Sequence, residues 1–87
     1  MKLKNKILVT IKVPEILEEY DVYIPINKRI GNIIMLLNNA INELSKGEFE
    51  ISKTNKLYNA TTKERYNKDI LLIDTNIRNG TQLILLS

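Results

Sequence analysis

Three carboxylates crowd one short stretch of the chain, at Glu15, Glu18 and Glu19. Paired carboxylates can divide general-acid and general-base work, as in glycoside hydrolysis, or hold a hard cation through oxygen ligands. Either use needs a cleft, which a domain of this size rarely builds. The run also lacks the Asp/Asn/Gly pattern of a calcium loop, so it reads as an acidic surface loop. The remaining chemistry is sparse. The 87 residues contain no His and no Cys. That removes the commonest general base, the thiolate nucleophile, thiolate zinc sites and disulfides. Gly31, Gly47 and Gly80 are scattered, so no glycine-rich loop cradles a phosphate. The expectation is a protein that is not an enzyme and carries no metal and no cofactor.

The net charge is +3, with 26% charged and 44% hydrophobic residues. Such a composition is ordinary for one soluble globular domain, here spanning residues 1–87. A chain this short buries only about 60–65% of its unfolded surface, which leaves a thin margin of stability. Lys2, Lys4 and Lys6 form the one basic cluster, read as a solvated arm, with a phosphate-contacting arm as the other reading. The apolar run after them is interrupted by Thr10 and Lys12 and has no small-residue cleavage site, which argues against a signal peptide. No stretch approaches the length of a membrane span. A cytoplasmic location is expected.

The elements follow from periodicity. Ile7, Val9, Ile11 and Val13 recur every second residue, the pattern of a half-buried strand that Pro14 ends. Val22, Ile24 and Ile26 repeat it, and Pro25 assigns that strand to a sheet edge or rim. The short connection between the two predicts an antiparallel hairpin. From Ile30 the period becomes helical: Ile30, Ile33, Ile34, Leu37, Ile41 and Leu44 share a face, with Ala40 beside them and Asn32, Asn39, Asn42 and Glu43 opposite. Asn27 is a candidate N-cap, and Lys46-Gly47 a stop. Residues 48–56 fit either a loop or a strand. Leu57 and Tyr58 centre a third strand, Tyr66 marks a short further one, and Ile70 to Ile73 form a buried connection or half-turn. Asn79-Gly80 is a tight turn leading into a last strand, Gln82 to Leu86. The excess of Asn, Ile and Lys reads as coding bias more than function.

This order, ββαββ(β), is α+β. One amphipathic helix must be covered by a mixed sheet of four to five strands, with the first and last strands parallel at its centre. That is the β-grasp order, and particular residues resemble ubiquitin. Pro25, Ile30, Ile33 and Leu37 resemble its entry into the helix. Leu72, Ile77, Asn79-Gly80, Leu83 and Leu85 resemble its final turn and strand. Within that superfamily the chain is most similar to YukD/EsaB-like proteins, small bacterial ubiquitin-like components of type VII secretion systems. Length, the start directly at a strand, the Ile24-Pro25 strand ending and the Ile77-to-Leu83 close carry the similarity. It implies a non-catalytic protein-binding module, an accessory or regulatory part of such a system. The sequence closes at Leu85-Leu86-Ser87 without the Gly-Gly of carrier proteins, so the resemblance implies neither conjugation nor sulfur transfer.

In ubiquitin the outer sheet face is the main partner-binding patch. If Leu83 and Leu85 face the helix, Ile84 and Leu86 face away from it, together with Leu8, Thr10 and Tyr58. These five are the candidate site for a protein partner, which the resemblance places among the cytoplasmic parts of a secretion machine. The alternative is a small nucleic-acid-binding β-grasp module, which the positive charge permits. Such readers display stacked aromatics among basic residues, whereas this face is expected to be aliphatic with one Tyr. Met35, on the helix's polar face, reads as solvated.

Overall fold

The computed structural model describes residues 5–87, and Lys2 and Lys4 of the basic cluster lie outside them. The elements are β1 (Lys6–Val13), β2 (Glu18–Pro25), α1 (Ile30–Leu44), β3 (Lys56–Asn59) and β4 (Gln82–Leu86), with 3₁₀ turns at Pro14–Ile16 and Leu72–Asp74. Four strands form one sheet in the order β2-β1-β4-β3. β1 runs antiparallel to β2 and parallel to β4, and β3 is antiparallel to β4. The expected central parallel pair is present, and Pro25 does sit on an edge strand.

Alternation along β1 turns Val9, Ile11 and Val13 toward the helix; on β4 it does the same for Leu83 and Leu85. They share one core with Ile30, Ile33, Leu37 and Ile41 of α1 and with Ile24, Leu57, Leu72 and Ile77. Each such side chain, fully buried, contributes about 1.5–3 kcal/mol over leaving it in water.

Several boundaries differ from the sequence reading. β2 begins at Glu18, inside the stretch read as an acidic turn, because the 3₁₀ turn Pro14–Ile16 and Leu17 complete the reversal and Glu18 already pairs with Val13. Leu17 takes a left-handed conformation (φ 55°) and is 90% exposed. Asn27 does not cap α1. Arg29 occupies the cap position without a side-chain bond. Loop carbonyls satisfy the first amides instead: Ile30 donates to Ile70 O at 2.9 Å and Gly31 to Lys68 O at 2.8 Å. At the other end Gly47 takes the expected positive φ (84°) and donates to Asn42 O at 2.8 Å. Leu44 is 55% exposed rather than in the core stripe. Phe49 is buried under that end instead, its amide bound to Ser45 Oγ and its carbonyl to Asn42 Nδ2, each at 2.9 Å. Asn42 is therefore half-buried and structural rather than solvated.

Residues 48–55 are a loop, and β3 starts at Lys56. Tyr66 forms no strand. Only its neighbour Arg65 bridges to Tyr58, while the Tyr66 ring turns inward and its hydroxyl binds Asn59 Nδ2 and Asn76 Oδ1 at 3.0 and 2.6 Å. In the Ile70–Ile73 run, Leu72 is buried but Ile70 and Ile73 are exposed.

The final turn is fastened to β1. Asn79 Oδ1 accepts from Leu8 N at 2.8 Å, Gly80 N donates to Leu8 O at 2.7 Å, and Thr81 N closes on Arg78 O at 3.0 Å. Gly80 alone takes positive φ, at 89°, with open space where a Cβ would stand. Gly80→Ala should therefore cost only the backbone strain, about 1–2 kcal/mol. A urea titration reads this as a lower midpoint at an unchanged slope.

Candidate docking face on the outer sheet

The face of the sheet turned away from α1 is built by the second alternation of each strand. Register places its side chains in rows. Leu8 stands beside Tyr23. Thr10 stands between Asp21 and Gln82, and Lys12 between Glu19 and Ile84. Ile84 continues to Tyr58, and Leu86 to Lys56. All five expected residues lie on this face, but they do not form one apolar patch.

Tyr58, Ile84 and Leu86 come together on the adjacent strands β3 and β4, half-buried, with Lys12, Lys56 and Arg65 around them. Leu8 lies four residues along β1 from Lys12, the residue that faces Ile84, or about 13 Å at the usual strand rise. Between the two apolar groups stands a polar pair, Thr10 Oγ1 donating to Asp21 Oδ1 at 2.7 Å. Thr10 is thus part of a polar divide, and Leu8 belongs to a second, smaller apolar group with Tyr23. The sequence reading missed Tyr23, although it holds the same outward alternation on β2 as Tyr58 does on β3. Tyr23 is 55% exposed. The face therefore displays two tyrosines rather than one, on opposite edges of the sheet, too far apart to form one stacking platform for successive bases.

The acidic cluster does not converge. Glu15 accepts from Ser87 N and Oγ at 3.1 Å each, at the end of β4. Glu18 and Glu19 are successive on β2 and point to opposite sides of the sheet. Among the described residues no three His, Cys, Asp or Glu side chains come together as a metal site. Partial burial first, then the Glu18 and Glu48 carboxylates, raise the Tyr20 phenol above its usual 10.0. Tyr20 packs against the core and takes no part in the outer face. Met35 is exposed on α1, as expected, and among the described residues no helix is long and apolar enough to cross a membrane.

No family model and no curated protein matches the chain. Solved structures do. The ubiquitin-like domain of the Mycobacterium tuberculosis type VII secretion system protein ECCD1 superposes with a TM-score of 0.72 at 16% identity, covering 94% of this chain and 98% of that domain. The chain has the ubiquitin-like β-grasp fold. A chain of the MycP5-free ESX-5 inner membrane complex superposes with a TM-score of 0.76 at 15% identity over 94% of this chain. The present chain spans 21% of that longer one. The ubiquitin of Caldiarchaeum subterraneum follows with a TM-score of 0.62, at 11% identity over 92% of this chain and 90% of its own length. At such identities the likeness is one of fold.

Proposed function

We propose that this chain is a non-catalytic ubiquitin-like module that docks onto a cytoplasmic component of a type VII secretion system and helps to assemble or regulate it. The observation that carries the reading is the grouping of Tyr58, Ile84 and Leu86 on a sheet face that no other element covers among the described residues. A half-buried aromatic and two aliphatic side chains ringed by cations have the make-up of a small interface centre, apolar inside and charged at the rim. Support for the secretion-system partner comes from the fold likeness to the ECCD1 domain and to part of the ESX-5 complex, together with the family resemblance in the sequence.

A photo-reactive phenylalanine analogue in place of Ile84, expressed in the producing cell, tests both halves. Adducts from position 84 should contain a secretion-system component, and the same analogue in place of Leu36, exposed on α1, should form none. Adducts from position 36 alone would overturn the docking face. Adducts from position 84 holding only unrelated proteins would overturn the secretion assignment.

A further inference from the structure

A groove on the helix side of the molecule meets the outer sheet face only at the edge strand β3, where Lys56 and Arg65 border both. It runs between α1, the 51–56 segment and the 65–69 loop. Two adjoining hollows, of about 530 and 500 Å³, share Ile34, Lys53, Asn55 and Lys68. The first is also bordered by Lys56 and Arg65, so four cations line it against one carboxylate, Asp69. The second is floored by Ile34, Met35 and Ile51, of which Met35 is 63% and Ile51 54% exposed.

The walls are fixed. Asn38, 4% exposed in the middle of α1, donates to Ser52 O at 3.1 Å and accepts from Asn55 Nδ2. Asn55 in turn accepts from Ser87 Oγ at 2.9 Å. On the other side the Lys68 carbonyl rests on Gly31 N, where an added Cβ would stand 3.2 Å from that oxygen. Arg29 Nη1 holds Asp69 O at 2.6 Å. A groove tied at both walls loses little freedom on binding, which favours a preformed site.

We propose that this groove is a second docking site, taking an acidic peptide segment of a protein partner that carries an apolar side chain. The argument is charge complementarity along a continuous groove. Its Lys56–Arg65 end, with Lys53 and Lys68 at the junction, suits carboxylates, and its Met35–Ile51 end, with Ile34 at the junction, suits a Leu or Phe. A free phosphate would use only the first end. Stacked bases would find no free ring, since Tyr66 is buried with its hydroxyl engaged.

The test is an amide-resolved titration of the full ¹⁵N-labelled chain with a synthetic acidic peptide bearing a central Leu-Phe pair. Its Asn/Gln counterpart and inorganic phosphate serve as the other arms. Shifts should fall on Ile34, Ser52, Lys53, Asn55 and Lys68, weaken with added salt, and nearly vanish for the neutral peptide. Lys53→Glu with Lys68→Glu should weaken binding about tenfold or more. Lys53→Glu alone, at an exposed side chain, supplies the charge test if the pair disturbs α1. Equal binding of the neutral peptide, shifts centred on Ile84 instead, or the same shifts from phosphate alone would each overturn the proposal.

Discussion

Leu83→Asp should abolish the folded state, while the change one residue later, Ile84→Asp, should leave it intact. Leu83 is fully buried between the central strands and α1. Removing its side chain alone costs about 3–5 kcal/mol in a packed core. The new carboxyl must also be held neutral at pH 7 against an ordinary value near 3.9, which costs about 4 kcal/mol more. A chain of this size has roughly 4–13 kcal/mol in total, with small domains toward the lower end. Thermal unfolding followed by circular dichroism should show no cooperative transition for Leu83→Asp. Ile84 is half-buried on the open face beside Lys12 and Tyr58. A carboxylate there stays hydrated, so its midpoint should move by only a few degrees.

Phe49→Ala should be the most damaging truncation outside the regular elements. Phe49 is 0% exposed, although it lies in a loop with Glu48 and Glu50 on either side. Deleting a buried Phe ring costs about 3–5 kcal/mol. For a domain of this length that lowers Tm by more than about 12 °C. Ile51→Ala is the matched control. Its side chain is largely in solvent, so its effect should stay within about 0.5 kcal/mol. Equal losses from the two would contradict the packing of the 48–55 loop.

The contrast between these two residues also shows where sequence reasoning reaches its end. The stripe Ile30, Ile33, Ile34, Leu37 and Ile41 was legible because one helix face repeats every 3.6 residues whatever it packs against. The alternations in β1 and β4 were legible for the same reason with a period of two, and they predicted the central parallel pair. Phe49 was not legible, because no periodicity in the 48–55 loop marks which side chain joins the core; its amide and carbonyl are held by Ser45 and Asn42 at the end of α1. Nor was Asn38. A polar residue on an apolar stripe looks misplaced until its partner Asn55, 17 residues away, is brought to it. The asparagines read as coding bias hold the 52–55 loop, the Tyr66 hydroxyl and the final turn in place.

The candidate face was half legible. Alternation assigned Leu8, Thr10, Tyr58, Ile84 and Leu86 to one side of the sheet. Their grouping depends on register, which sets Ile84 beside Lys12 rather than Leu8. A shift of register between β1 and β4 would have joined or scattered the same five residues. No periodicity within a single segment carries that information.

The proposed docking group Tyr58–Ile84–Leu86 stands on the open sheet face, while the opposite face of the sheet packs the core. The most direct measurement is the yield of crosslinked partner from position 86, through a photo-reactive analogue replacing Leu86, with and without Ile84→Asp in a chain that still unfolds in one cooperative transition within a few degrees of the parent. Loss of the adduct with the fold preserved is the predicted result. An undiminished adduct in the folded Ile84→Asp chain would contradict it.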